Sequence, residues 1–384
     1  MGAGAAGLMC AIEASKRGRK TLVLDKANKP GKKILMSGGG RCNFTNYYIE
    51  PDKYLSHNPH FCKSALTRYT QWDFIRLVEQ HCISYHEKTL GQLFCDNSAR
   101  DIVDMLLNEC ARYKAHIKLS QTITSITKDK GIFIVTTGEG VYQCQSLVIA
   151  SGGLSIPTMG ASPFGYQVAA QFGHHVFQTR AGLVPFTLHD NDKQKFESLA
   201  GVSVHCHVEC NQQHFEEMLL FTHRGLSGPA MLQISSYWQP GDVLNIRLLP
   251  EIDWPTYLID AQLSSPCQYL KTLLSEHFAK RLLAIFFDEA TLNKPLKQFN
   301  APELLNISQA LQSWKIKPNN TEGYRTAEVT LGGVNCDEVS SKTFESQKAS
   351  GLYFIGEVLD VSGWLGGYNF QWAWSSGFAA GQVV

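Results

Sequence analysis

The 384-residue sequence predicts an α/β fold built from both ends of the chain around an insertion that is first β-rich and then helical. A glycine-rich turn at Gly2–Gly7 opens a helix that is followed by a short apolar strand. Polar and apolar residues alternate through 183–255 and give way to helical spacing over 256–316. Strand and glycine patterns then return, and the last forty-five residues are again glycine-rich. The expected division is therefore 1–182 with 328–384 as the α/β domain, 183–255 with 318–327 as the β-rich domain, and 256–317 as the helical domain.

In chain order, Ala5 to Arg17 has the pattern of a helix, and Gly18 closes it. Thr21 to Leu24 is a short apolar strand ending at Asp25. Residues 60–115 read as mostly helical, with Phe74, Leu77 and Val78 at helical spacing. Residues 117–149 read as a three-stranded meander over Ile117–Ile126, Ile132–Thr137 and Val141–Ile149, with Gly138 and Gly140 at its second turn. Within the insertion, Asn191, Gly201, Asn211 and Gly241 mark turns between antiparallel strands. Leu258, Leu263, Leu270, Leu273, Leu274, Leu282, Leu283, Ile285 and Phe286 then supply a helical pattern.

Composition is that of an ordinary globular protein, with 44% hydrophobic and 18% charged residues and a net charge of +1. Eleven scattered cysteines, an odd number, suggest a reducing, cytoplasmic setting. No apolar run approaches the ~18 residues that a membrane span needs. His205, Cys206, His207 and Cys210 are the nearest approach to a metal cluster, but they alternate as on a half-buried strand, and no metal is expected. Between Lys16 and Arg41 there are nine Lys or Arg against one acid, Asp25. That stretch reads as a solvated rim around a phosphate site or as a docking patch for a polyanion such as RNA.

The strongest local signal is Gly2-Ala3-Gly4-Ala5-Ala6-Gly7. Its first glycine makes a tight turn, and its second lets the backbone approach a pyrophosphate at a helix N-terminus. Its third permits close helix packing. Asp25, eighteen residues after Gly7, is placed to accept from a ribose hydroxyl. These features predict a Rossmann-like dinucleotide-binding unit. The strand that should precede Gly2 is absent from a sequence that begins at Met1. A sheet without that central strand is expected to expose unpaired edges and to hold its cofactor weakly.

Three further segments extend the site. Ser37-Gly38-Gly39-Gly40-Arg41-Cys42-Asn43 removes side chains so that a ligand can lie against backbone amides, and Arg41 offers a planar fork. Leu147–Ile149 runs into Ala150-Ser151-Gly152-Gly153, a small-residue turn suited to packing against a flavin. Leu352–Ile355 runs into Gly356, Glu357 and Asp360, and Gly366-Gly367-Tyr368-Asn369 precedes a final helix. That helix N-terminus suits the flavin edge where negative charge develops on reduction. A protein binding only NAD would not need this distant second half.

Together these segments resemble the YhiN/BaiN-like family of FAD-dependent oxidoreductases over nearly the whole chain. The most specific stretches are Lys33–Asn46, Leu219–Gln233 and Gly366–Trp374. The resemblance implies an FAD-binding Rossmann-like domain, an inserted β-barrel-like domain and a small helical domain. It implies FAD contacts at Gly2, Gly4, Gly7, Asp25, Arg41, Gly153, Asp360 and Asn369. The full expected set adds Ala5, Ala6, Lys26, Ser37, Gly38, Gly39, Cys42, Asn43, Ile123, Ala150, Gly152, Gly356, Glu357, Gly366, Gly367 and Tyr368. Family members have been connected with reduction of C=C bonds, in uridine of ribosomal RNA or in unsaturated steroid intermediates of gut bacteria.

A single fingerprint leaves no separate NAD(P) domain, so NAD(P)H would dock transiently as hydride donor. Cys42 stands alone near the loop, with Cys10 and Cys62 as its sequence neighbours, which argues against a thiol–disulfide reductase. Cys42 is the expected proton donor, with packing as its alternative role. His223 and Arg224 are expected to orient substrate, or else to cap the Gly225–Pro229 turn. Three functions fit: an FAD-dependent reductase acting on ribosomal RNA, a small-molecule ene-reductase, and an RNA-binding or assembly factor with a structural or sensing FAD.

Overall fold

In the computed structural model, which describes residues 1–384, the glycine turn opens a helix over Ala5–Lys16. Every residue from Ala6 to Ser15 is buried, so this helix is enclosed rather than amphipathic. Ala6, Cys10 and Ala14 face one hydrophobic cluster, and Leu8, Met9, Ala11 and Ile12 face another. Gly18, with φ +80°, ends it. The C-terminal helix Tyr368–Gly381 is buried almost as completely and packs directly on it. Added Cβ atoms at Gly377 and Gly381 would meet Ala6 O at 2.5 Å and Glu13 Cβ at 2.5 Å. The two helices therefore touch backbone to backbone.

Two compact units divide the chain: Met1–Ala181 with Glu328–Val384, and Gly182–Ala327. In the first unit the parallel sheet is split into two pairs. Leu22–Leu24 pairs with His116–Lys118, and Leu147–Ile149 pairs with Leu352–Phe354. Met1 and Gly2 occupy the gap between the pairs. Met1 and Gly2 hydrogen-bond to both sides of it: Met1 N to Val148 O at 2.7 Å, Ala150 N to Met1 O at 2.8 Å, and Gly2 N to Leu24 O at 2.8 Å.

Several elements depart from expectation. The stretch 60–115 holds helices at Lys63–Arg68, Gln71–Gln80 and Ala99–Arg112, but also a hairpin of Tyr85–Glu87 and Gln92–Cys95. Left-handed backbone at Leu90 and Gly91 makes its turn. The meander is narrower than read, over Ile123–Asp129, Ile132–Thr137 and Gly140–Cys144. Ser120, with φ +57°, breaks its first strand, so the preceding His116–Lys118 joins the parallel sheet instead.

The second unit carries a seven-stranded sheet in the order 314–316, 244–248, 203–210, 213–221, 225–227, 186–187, 320–321. Three residues, Lys317–Asn319, join its two edge strands. Four peptide steps span at most ~15 Å, whereas seven flat strands would hold their edges ~29 Å apart. The sheet must curl strongly, yet no hydrogen bonds close it, so the expected barrel-like domain is an open one. Helices Asp190–Phe196 and Pro229–Ser235 interrupt the stretch read as strands. The helices between Trp254 and Gln312 belong to this same unit. Cys206 and Cys210 are buried on the strand Ser203–Cys210, while His205 and His207 alternate to its other face.

Candidate functional site

The first helix presents a bare N-terminus. Gly4 is its N-cap, no side chain caps it, and no acid lies in the first turn. A Cβ on Gly4 would meet nothing within 4 Å. A Cβ on Gly7 would instead collide with the Gly2 carbonyl, and one on Gly2 with the Ala150 carbonyl. The turn is thus closed towards the protein and open towards the space above Gly4, as a cradle for a pyrophosphate requires. Asp25 Oδ2 accepts from Ala3 N, and Oδ1 accepts from Ala27 N at 2.6 Å. The carboxylate expected to hold a ribose therefore also fastens the turn, using part of its acceptor capacity. Gln121 N bonds Asp25 O at 2.8 Å, which brings the start of the meander, and Ile123, beside Asp25. Lys26 is exposed there.

Opposite the turn, a polar cluster joins four segments. Lys33 Nζ lies 2.7 Å from Glu357 Oε2 and donates to Ser155 Oγ at 2.6 Å. Glu357 Oε1 accepts from Ser155 Oγ at 3.1 Å and from Thr330 N at 3.0 Å. Burial pushes the Glu357 carboxyl up, but Lys33 and the amides of Thr330 and Gly153 outweigh it and hold it below the ordinary value. Glu357 is therefore an anion that braces the Gly152-Gly153 turn. Gly356 lies against Ala6, and its carbonyl accepts from Trp372 Nε1 at 3.1 Å, so the first and last helices meet at this loop. Lys33, Ser155 and Thr330 were not expected in these roles. Lys33 lies within a motif read for its glycines, and its partner stands 324 positions away.

In the Gly-rich loop, Gly38, Gly39 and Gly40 all have left-handed backbone, and Gly39 and Gly40 face open space. Ser37 Oγ bonds Ile34 O at 2.8 Å, and the Asn43 amide lies 3.1 Å from that of Gln92. Arg41 is exposed, and its guanidinium has no protein partner. Cys42 is more enclosed than the expected role of proton donor calls for. It is fully buried in the cluster with Ala3, Leu8 and Phe44, and burial pushes its thiol up. A weaker acid with no accessible surface in this arrangement fits the alternative role of packing better than that of proton donor.

The C-terminal residues are also more committed than expected. Asp360 is buried and accepts from His57 N and His57 Nδ1, each at 2.8 Å, and burial raises its carboxyl despite His57. Asn369 Oδ1 accepts from Gly363 N at 2.8 Å, and its Nδ2 donates to Gly363 O at 2.8 Å. Both residues therefore shape loops, and in this arrangement their side chains are occupied. Tyr368 is buried, and its hydroxyl donates to Tyr48 O at 3.0 Å. Gly367, with φ +95°, caps the last helix without any side-chain cap or acid in its first turn. A second bare helix N-terminus results, at Gly366–Asn369.

His223 and Arg224 lie in the second unit. Arg224 Nη1 is 3.2 Å from Glu322, and Arg224 Nε bonds His223 Nε2 at 3.2 Å. Arg224 N and Gly225 N both bond Thr222 Oγ1, so the pair belongs to a tight turn whose arginine is already engaged.

The donor set fits FAD. The Gly4 cradle would hold the pyrophosphate, Asp25 and the Gln121–Ile123 segment would flank the adenosine end, and the helix N-terminus at Tyr368 would face the flavin. No three or more His, Cys, Asp or Glu gather as metal ligands, and no helix is long and apolar enough to cross a membrane.

Comparison with known proteins gives a consistent picture. Residues 1–383 match the family described as HI0933-like protein Rossmann domain. A ribosomal RNA dihydrouridine synthase of Escherichia coli K12 is 56% identical over 384 residues, covering 100% of this chain and 96% of that protein. Its namesake from Haemophilus influenzae is 50% identical, covering 99% and 96%. A 3-dehydro-bile acid delta(4,6)-reductase of Clostridium scindens is 26% identical, covering 100% and 98%.

Proposed function

The chain belongs to the HI0933-like Rossmann family, and from that premise we propose that it is an FAD-dependent reductase of a C=C bond, with uridine in ribosomal RNA as substrate and dihydrouridine as product. The observation that carries the substrate is the 56% identity to a ribosomal RNA dihydrouridine synthase, sustained over the whole chain.

Bound FAD supplies hydride chemistry that no side chain of the protein has. The protein's own groups do the rest. The bare N-terminus of the first helix binds the pyrophosphate through backbone amides, and Asp25 orders both the turn and the adenosine end. Glu357, held by Lys33, Ser155 and Thr330, fixes the Gly152-Gly153 turn at the ligand's side. The N-terminus of the last helix would face the flavin with positive potential, which suits a group that takes up negative charge on reduction. Arg41, exposed and unpartnered beside Gly38–Gly40, is the group available to grip a phosphate of the substrate. NAD(P)H fits the role of transient donor, because the chain holds a single nucleotide fingerprint.

The test compares ribosomal RNA nucleosides by mass spectrometry from cells with and without the gene. Loss of a dihydrouridine that the wild-type gene restores is the expected result, and an unchanged profile overturns the RNA substrate. The 26% likeness to a bile-acid reductase favours a small-molecule alkene as the second reading. Turnover of a steroid enone, undiminished by nuclease treatment, would select it.

A further inference from the structure

Saturating a C=C bond needs a proton as well as a hydride, and the Cys42 thiol, without accessible surface in this arrangement, is poorly placed to supply it. The requirements are physical. The group must reach the ligand space, be free of other bonds, and be protonated near neutral pH.

Most acids of the first unit's site fail one of these. Glu357 is an anion tied to Lys33. Asp360 is buried under His57. Asp25 is bonded to two backbone amides. Glu328 lies at the same cluster, and its side chain carries no such bond. Its backbone carbonyl accepts from Ser155 Oγ at 3.2 Å, and Thr330, two residues on, donates its amide to Glu357. The same Thr330 lies against Gly153, where an added Cβ would come within 2.5 Å of its hydroxyl. Glu328 therefore immediately precedes the strand Val329–Val334, which lines the Gly152–Ser155 turn. Its side chain is exposed, and no hydrogen bond or ion pair engages it.

We propose that Glu328 is the proton donor to the substrate alkene, an inference that rests on the reductase reading above. The alkene takes a hydride at one carbon, with reduced flavin as the two-electron source, while the Glu328 carboxyl gives its proton to the other. The π bond is lost and two C–H bonds form. Glu328 ends as a carboxylate that water reprotonates.

The acidity is suitable. Crowding by protein pushes the Glu328 carboxyl up to about 7, with no charged neighbour contributing. The charged groups on the elements packed around it are Lys33 and Glu357, which neutralise each other, and Arg180 on the adjoining strand Val176–Gly182. Arg325, three residues earlier, pairs with Glu322. Remaining contact with water keeps the proton exchangeable, as a donor that must reload requires.

The experiment uses the full-length FAD-loaded protein with Glu328→Gln and Glu328→Asp. The first readout is a pH titration of isotope-labelled glutamate carboxyls by NMR. A resonance titrating near neutrality, absent from Glu328→Gln, is expected. The second is single-turnover reoxidation of dithionite-reduced enzyme, mixed with unmodified ribosomal RNA or with a steroid enone. Glu328→Gln should slow this by about a hundredfold or more while leaving reoxidation by oxygen unchanged. Glu328→Asp should recover part of the rate with a shifted pH profile. Wild-type rates in Glu328→Gln, or a Glu328 carboxyl titrating at the ordinary value, would overturn the proposal. If wild-type enzyme is not reoxidised by RNA, the uridine reading falls separately, and the titration and the enone decide Glu328.

Discussion

Gly7 and Glu357 hold the ligand cradle by different means. A Cβ on Gly7 has nowhere to go, because the Gly2 carbonyl occupies its place. Gly7→Ala should therefore cost about 1–3 kcal/mol or more through forced backbone movement, and should lower the flavin-to-protein absorbance ratio of purified protein. Glu357 acts through charge. Its folded-state value is lowered, so its contribution to stability is complete above the ordinary glutamate value of about 4.3 and is lost as pH falls through the lowered value. Glu357→Gln should cost about 1–2 kcal/mol at neutral pH, discounted because the pair keeps some contact with water. The variant and wild-type melting curves should converge in acid, and a constant gap down to pH 3 would contradict this origin. The glycine turn and Asp25 were legible in the sequence because their chemistry is contiguous. Lys33 with Glu357 was not, because only the fold joins residues 324 positions apart. The enclosure of Cys42 was not legible, because its neighbours Gly40 and Arg41 lie on the open side of the loop, while the chain turns inward at Cys42 itself.

At the scale of elements, the contact between the first and last helices decides the site's geometry. Both helices present bare N-termini, and Gly377 and Gly381 let them approach until backbone meets backbone. Gly377→Val would have to push Ala6 and Met9 aside, moving the pyrophosphate cradle relative to the flavin-facing terminus. We expect a loss of about 1–3 kcal/mol, seen as a lower Tm, together with weaker FAD affinity. A variant that melts lower but binds FAD as tightly as wild type would show that the helices can separate without disturbing the site. The sequence revealed both helices, since each is long and bounded by glycine. It concealed the hairpin Tyr85–Cys95, whose strands of three and four residues are too short to show a period against helical flanks. It also merged His116–Lys118 with the meander, because one left-handed residue, Ser120, separates two strands of similar composition.

For the whole molecule, the insertion leaves and returns on strands that lie side by side. Val176–Gly182 and Val329–Val334 form one sheet, with Gly332 against the Gln178 carbonyl. Replacing residues 182–327 by a short Gly-Ser linker should therefore leave a soluble protein that still binds FAD, checked by its visible spectrum, and that has lost turnover. A colourless aggregate would show that the first unit cannot stand alone. The same layout orders events during synthesis. Residues 182–327 are contiguous and contain all seven strands of their sheet. The first unit, in contrast, cannot pair Leu147–Ile149 until Leu352–Phe354 exists, nor seat its first helix until the last has been made. At about 5–20 residues per second, the first 181 residues wait many seconds for their partners while the insertion is already complete. On the ribosome, the segment that is last in the logic of cofactor binding should be first to fold. The ligand cradle, begun by the opening residues, is finished only when the final helix leaves the exit tunnel.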